Sequence, residues 1–169
     1  MESASLTYLR EIRASEYETI FRWINQRDLR IQSAPYNPVH WHSHLEWIKN
    51  DFRNPYTQLL VIAMTTDDSP IGVIRLDAIS LLHRSAEFSI RIGEEGALGL
   101  GLGTDALNNL IRHSWLDLGL QRLSLSVFSD NHRAIRAYEK AGFVREGVLQ
   151  RAAFINGNWK DIILMAILK

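Results

Sequence analysis

The chain contains no cysteine. That absence excludes disulfides, thiolate metal sites and a cysteine nucleophile, and it fits a reducing compartment. Charge of one sign is missing too: 19 Lys and Arg offset 19 Asp and Glu, so the formal net charge is zero. Such a balance gives no support to a nucleic-acid or membrane surface as partner. No apolar run approaches bilayer-spanning length, and Met1 to Arg13 alternates charged and apolar residues with no signal-peptide core. A cytoplasmic location is the expectation. Proline is scarce, and its four copies fall where turns are expected: Pro35 and Pro38, Pro55 after Asn54, and Pro70. At 169 residues, with 46% hydrophobic and 22% charged content, the chain suits one domain over 1–169 with a full core.

What is present reads as alternating strands and helices. Leu6 to Ile12 alternates as a first strand. Ser15 is placed to cap a helix through Asn25, with Tyr17, Ile20, Phe21 and Ile24 on one face and Glu18 near capping-box spacing. A loop marked by Pro35 and Pro38 follows. A second helix is expected from Ser43 to Phe52, burying Leu45, Trp47 or Ile48, and Phe52, and ending at Asn54-Pro55. Leu59 to Met64, Ile71 to Ile79 and Ser85 to Ile92 read as strands, the first two joined by the turn residues Asp67 to Pro70.

In the second half, Ala106, Leu107, Leu110, Ile111 and Trp115 recur at helical spacing until Gly119. Leu123 to Val127 alternates as a half-buried strand. Asp130 or Asn131 caps a short helix carrying Ile135, Tyr138 and Ala141, stopped by Gly142. Asn156-Gly157 sits between Val144–Phe154 and Trp159–Leu168, a hairpin signal. The order β-α-α-β-β-β-α-β-α-β-β describes an α/β protein: a mixed sheet with helices on both faces.

The glycine-rich stretch from Gly96 to Gly103 is the strongest chemical signal. It follows the strand segment Phe88 to Ile92 and runs into the helix start Thr104-Asp105-Ala106-Leu107. Strand, glycine turn and helix N-terminus in that order make an anion site, because unpaired backbone N–H groups converge there and the helix dipole favours negative charge. A phosphorylated ligand is therefore expected. A P-loop is excluded, since Gly103 is followed by Thr104-Asp105 rather than Lys-Ser/Thr. A dinucleotide fingerprint is excluded too: the loop is G-x-G-x-G past mid-chain, and Leu118 to Leu123 offers no strand-end acid. A flexible glycine turn without a ligand is the competing reading.

Further residues fall into a pattern: Ser85-Ala86-Glu87-Phe88; Gly99-x-Gly101-x-Gly103; Asn131-x-x-Ala134-x-x-x-Tyr138-Glu139-Lys140-x-Gly142-Phe143; then Gly147-Val148-Leu149, Asn156-Gly157 and Asp161. Together they resemble the GNAT superfamily of acetyl-CoA-dependent N-acetyltransferases, over nearly the whole chain from Leu6 to Lys169. The pattern is similar to the ribosomal-protein alanine and spermidine acetyltransferases. His83-Arg84-Ser85-Ala86-Glu87-Phe88 and Phe154-Ile155-Asn156-Gly157 look especially like the spermidine branch. The resemblance implies a mostly antiparallel central sheet flanked by helices on both faces. One departure is Leu98, where the family usually has Gln or Arg.

The resemblance implies acetyl-CoA as cosubstrate, no metal, and direct attack by a primary amine. Its pyrophosphate would lie over Leu98, Gly99, Leu100, Gly101, Leu102, Gly103 and Thr104. Ile90, Arg91 and Ile92 would offer backbone groups to the pantetheine, with Asn131 as a further contact that can also cap its helix. Tyr138 is the candidate acid for the leaving thiolate, against a plain core aromatic; Glu87 is the candidate base, raised by burial, against a structural carboxylate paired with Arg91. Arg133 and Arg136 are either phosphate contacts or a solvated helix face. The acceptor site is expected from Ile31 to Trp47, with Tyr36, His40, Trp41, His42, His44 and Trp47, together with the final hairpin. His-x-His-x-His there lacks the carboxylates that would complete a metal site beyond Glu46.

The acceptor itself is left open between a protein N-terminus, a polyamine and a nucleotide-linked amino sugar. The resembled spermidine enzymes use several acidic residues in this region, whereas Arg27 to His44 holds only Asp28, with Arg27 and Arg30. Expected partners are thus a small-molecule amine or a protein N-terminus, with a homodimer as the candidate assembly. A cofactor-binding sensory module with a degenerate site is the alternative from another class.

Overall fold

The computed structural model describes residues 5–32 and 37–169. Pro35 and Tyr36, named above for the acceptor loop, lie outside the described residues. Seven strands form one sheet: β1 (Thr7–Glu11), β2 (Gln58–Met64), β3 (Pro70–Ser80), β4 (Ser85–Ile92), β5 (Arg122–Phe128), β6 (Val144–Ile155) and β7 (Asn158–Leu168). Their spatial order is β1-β2-β3-β4-β5-β7-β6. All neighbours are antiparallel except β4 and β5, which run parallel.

Among the described residues five helices flank the sheet: α1 (Tyr17–Asn25), α2 (Arg27–Arg30), α3 (Trp41–Arg53), α4 (Leu102–Leu116) and α5 (His132–Lys140). The continuous apolar run of β2 reflects coverage from both sides. Leu59, Val61 and Ala63 join Ile20 and Trp23 of α1 and Ile48 of α3 in one core. Ile62 points the other way, into a larger core with Leu107 and Leu110 of α4 and Ile135 and Tyr138 of α5. The strand period of two divides each central strand between the cores. Among the described residues no helix is long and apolar enough to cross a membrane.

Local structure differs from expectation mainly around α1 to α3. Ser15 does not cap α1. Ala14–Glu16 form a 3-10 turn, and the Glu16 carboxylate, not Glu18, accepts the Arg13 N–H at 2.8 Å. Arg10 also clamps Glu16 at 2.6 Å, so the carboxylate fixes the turn before the helix proper begins. Trp23 is fully buried, whereas Phe21 is half-buried against Trp41. The short α2 follows directly at Arg27. α3 begins at Trp41, and its buried face is His44, Ile48 and Asp51, spaced by four and three. Phe52 is 55% exposed, and Leu45 and Trp47 are half-buried. At the last hairpin Asn156 (φ 51°) and Gly157 (φ 80°) both take left-handed backbone, the requirement of a type I′ turn.

Candidate active site

β4 and β5 pair at only three positions: Ser85 with Arg122, Ala86 with Leu123, and Glu87 with Ser124. β4 continues to Ile92 and β5 to Phe128, each held on its far side by β3 and β7 respectively. Beyond Glu87 the two strands therefore part, leaving backbone edges of Phe88–Ile92 and Leu125–Phe128 on either side of a wedge. Parallel strands need a long crossover, and α4 supplies it. Its N-terminus, fed by the glycine turn, arises where β4 ends.

The turn is built for close approach of a ligand. Gly99 and Gly101 have φ of 79° and 80°, and a Cβ on either would meet nothing within 4 Å. Gly101 is the N-cap of α4, and the first helical hydrogen bond runs from Asp105 N–H to Gly101 O at 3.0 Å. The N–H groups ahead of that bond have no intrahelical partner. Leu100 is 65% exposed and Leu98 half-buried, while Leu102 turns into the core. Just past the same end of β4, Gly93 presses on the Trp23 indole: a Cβ there would lie 2.1 Å from the ring. Trp23 Nε1 and Arg22 both donate to Glu94, at 2.9 and 3.0 Å.

Tyr138 projects from α5 into the core beside the wedge. Its ring packs edge-on to Phe88 (6.1 Å between centroids) and Phe143 (6.0 Å). Its hydroxyl makes no hydrogen bond among the described residues, and burial alone pushes its pKa well above the ordinary value of 10. Asn131 caps α5, its carboxamide oxygen accepting the Ala134 N–H at 3.2 Å. Arg133 and Arg136 both lie on the exposed face of α5.

Glu87 is solvent-exposed, which corrects the expectation of a buried carboxylate, and it forms no ion pair among the described residues. The cause is positional: Glu87 alternates with the buried Ala86 and Phe88, so its side chain leaves the sheet on the opposite face. Ser89 and Arg91 share that face. Burial lowers the Arg91 pKa from its ordinary value. Across the strand Glu87 faces Asp77 and Ser89 faces Arg75. Arg75 pairs with Asp77 and with the buried Asp51, at 2.9 Å to the latter, and stacks over Trp47 at 5.8 Å. Burial raises the Asp77 carboxyl, partly opposed by Arg75. Trp47, Asp51 and Arg75 border a shallow cavity of about 310 Å³.

This Asp51–Arg75–Asp77 chain was missed by sequence reasoning. The outward alternation Arg75-Leu76-Asp77 was its one available signal. Of the three histidines at His40, His42 and His44, only His44 is buried, its Nε2 2.8 Å from Tyr17 O. His42 pairs with Glu46 at 3.2 Å. Among the described residues no group of three His, Asp or Glu is arranged to hold a metal ion.

A sheet split at its one parallel pair, with a glycine turn feeding a helix at the mouth of the split, defines the N-acetyltransferase fold class. The chain belongs to the acetyltransferase (GNAT) domain family, whose model matches residues 7–144. It is 39% identical over 99 residues to a spermidine N(1)-acetyltransferase of Vibrio cholerae, covering 59% of this chain and 57% of that protein. The aligned region thus spans little more than half the length of that relative. A match to YdaF of Bacillus subtilis, named as a candidate ribosomal N-acetyltransferase, has 28% identity over 135 residues, 79% of this chain and 73% of that one. The crystal structure of Vibrio cholerae spermidine N-acetyltransferase in complex with CoA and spermine superposes with a TM-score of 0.89 at 29% identity. That superposition covers 97% of this chain and 96% of the other.

Proposed function

We propose that the chain is an N-acetyltransferase in which a primary amine attacks the thioester of acetyl-CoA directly, in a ternary complex. The wedge between β4 and β5, opening onto the glycine turn, is the observation that carries this reading. In it the pyrophosphate lies over Leu98 to Thr104, where two glycines leave open space and helix N–H groups are unpaired. Leu98 contributes its backbone, so the missing Gln or Arg side chain does not remove the cradle. The pantetheine amides pair with the wedge-facing backbone edge of β4 at Ile90, Arg91 and Ile92, extending β4 as a further strand would. Asn131 keeps its carboxamide nitrogen for the same arm while its oxygen caps α5.

The amine nitrogen forms the new C–N bond, electrons move onto the carbonyl oxygen, and their return breaks the C–S bond. A backbone N–H of the Ile90–Ile92 stretch polarises that oxygen. The nitrogen loses its proton through Glu87, directly or by way of water, and the exposure of Glu87 suits the second route. Tyr138 serves the sulfur. Burial keeps the phenol protonated at neutral pH, and a hydrogen bond to sulfur strengthens as negative charge builds there.

The acceptor in this reading has a single primary amine, as in a peptide α-amine or a small amine. On the acceptor face Asp51 and Asp77 share the one guanidinium of Arg75, and Glu87 stands exposed across the strand from Asp77, a small excess of carboxylate. That modest excess suits one ammonium, whereas a polyamine must have several desolvated charges compensated. Polyamine transfer is the second reading, favoured by the likeness to the Vibrio cholerae spermidine enzymes. Thiol release from acetyl-CoA, with mass analysis of the product, tests both against a panel of a peptide with a free N-terminus, spermidine and an amino sugar. Spermidine as the best substrate overturns the single-amine reading. Binding of CoA with no turnover on any amine overturns the enzyme reading in favour of a binding module.

We also infer a homodimer through β6. This edge strand runs for 12 residues and exposes Val144, Val148 and Leu149, and the exposed pair Phe154–Trp159 stacks at 5.1 Å beside it. Sedimentation at micromolar concentration should give twice the chain mass.

A further inference from the structure

The first turn of α4 carries a carboxylate, Asp105, next to the loop assigned above to a pyrophosphate. A negative charge there opposes an anionic ligand. Asp105 has no cationic partner among the described residues. Instead its Oδ2 accepts the Thr7 N–H at 2.8 Å and the Thr7 hydroxyl at 2.6 Å, and the Ser5 hydroxyl donates to the same oxygen at 3.0 Å. One turn further along α4, Asn109 Nδ2 donates to Thr7 O at 2.8 Å and to Ser5 Oγ at 2.9 Å. Thr7 is fully buried and Asn109 nearly so.

β1 is an edge strand, paired only with β2. In an antiparallel ladder both backbone groups of one residue point to the same side. At Thr7 both are taken by α4, so the carboxylate and carboxamide stand where a further strand would bond. The helix is thereby hooked onto the sheet at its first turn. Gly99 and Gly101 bring no side chain to this junction, so the hook adds a polar tie to the apolar anchor that Leu102 makes in the core.

We propose that Asp105 is a positioning residue that sets the affinity of the glycine turn for its phosphorylated ligand by hooking the first turn of α4 onto the backbone of Thr7. The proposal rests on the acetyl-CoA reading above. A helix end without such a tie frays, and its N–H groups must then be ordered at the moment of binding. The role is geometric rather than electrostatic. A single oxygen, Oδ2, receives both Thr7 bonds, and a carboxamide oxygen can receive the same two. Asn therefore keeps the hook and removes the opposing charge.

The test is calorimetric titration of CoA into the whole chain, followed by steady-state kinetics where turnover is found. Asp105→Ala should weaken CoA about tenfold or more and raise KM for acetyl-CoA, with kcat at saturation within about twofold. Asp105→Asn should bind CoA at least as tightly as the parent. An Ala variant that binds like the parent overturns the proposal, as does an Asn variant as weak as the Ala variant. Should Asp105→Ala fail to fold, Thr7→Val, which removes the hydroxyl donor and keeps the N–H, should weaken CoA about threefold; unchanged affinity there overturns the hook. If the parent itself binds no CoA, the cosubstrate reading fails while the hook is still decided by amide exchange of residues 101–105 in the ligand-free chain. Faster exchange in Asp105→Ala but not in Asp105→Asn supports the hook, and unchanged exchange overturns it.

Discussion

Replacing Tyr138 by Phe separates chemistry from packing more cleanly than any other single change. The ring sits between Phe88 and Phe143, and a phenylalanine retains those edge contacts. The hydroxyl makes no hydrogen bond among the described residues, and Tyr138 keeps 7% of its surface exposed, so the oxygen is not a sealed, unsatisfied polar atom. Removing it forfeits no protein partner, and stability should stay within about 0.5 kcal/mol of the parent. For a chain of this size that is a change in melting temperature of roughly 2 °C or less. If the hydroxyl serves the departing sulfur, kcat should fall by roughly ten- to a thousandfold, about 1.4–4 kcal/mol of transition-state stabilisation. Thermal denaturation, CoA calorimetry and single-turnover thiol release, run on one preparation, give all three quantities. Parent-like turnover refutes the assignment and returns Tyr138 to the core. A fall in both stability and turnover refutes it differently, by showing that the hydroxyl holds the fold through a bond that the substitution breaks.

Gly101→Val places a β-branched side chain at φ 80° and fills the space over the helix N-terminus, so CoA affinity should be largely lost; undiminished binding by calorimetry counts against the glycine turn as cradle. Gly93→Ala drives a Cβ to 2.1 Å from the Trp23 indole and should destabilise the chain by about 1–3 kcal/mol in urea denaturation, with an unchanged midpoint as the contrary result. His44 gives the pH dependence: burial depresses its folded pKa below the ordinary 6.5 and the Tyr17 carbonyl only partly opposes this. The unfolded chain then binds the proton more readily, so stability is full above pH about 6.5 and falls as pH drops from there towards the lower folded-state value. Urea midpoints at pH 7.5, 6.5 and 5.5 should decline in that order, and much less so in His44→Phe.

Elements with strong period and punctuation were legible from the residues alone. β4 was bounded correctly at Ser85 and Ile92, and Asn131, Gly142 and Asn156-Gly157 marked the ends of α5 and the last turn. Legibility fell where distant groups decide. Arg10 clamps Glu16 while its carboxylate caps the 3-10 turn at Arg13 N–H, and the α-helix proper starts only at Tyr17. Trp23 is buried because Gly93, seventy positions away, leaves room for its ring. Within the site, the glycine turn and Tyr138 stand out as local patterns. The parting of β4 from β5, the exposure of Glu87 and the pairing of Arg75 with Asp51 depend on which strands lie side by side, which no local pattern reports.

The three-residue seam between β4 and β5 has a mechanical meaning. It divides the sheet into two ladders, β1 to β4 and β5 with β7 and β6, joined by strand pairing at Ser85 to Glu87 and, just before it, by Arg84 O accepting the Gln121 and Arg122 N–H groups. Any molecule whose amides span the gap acts as a stitch between those halves. Its binding energy then appears as resistance of the whole sheet to opening, growing with ligand concentration and reaching about 2.7 kcal/mol at a hundredfold excess over Kd. Amide exchange should show this as slowing on both strand edges at once, at Phe88–Ile92 and at Leu125–Phe128, although a ligand seated at the glycine turn touches only one end of the first.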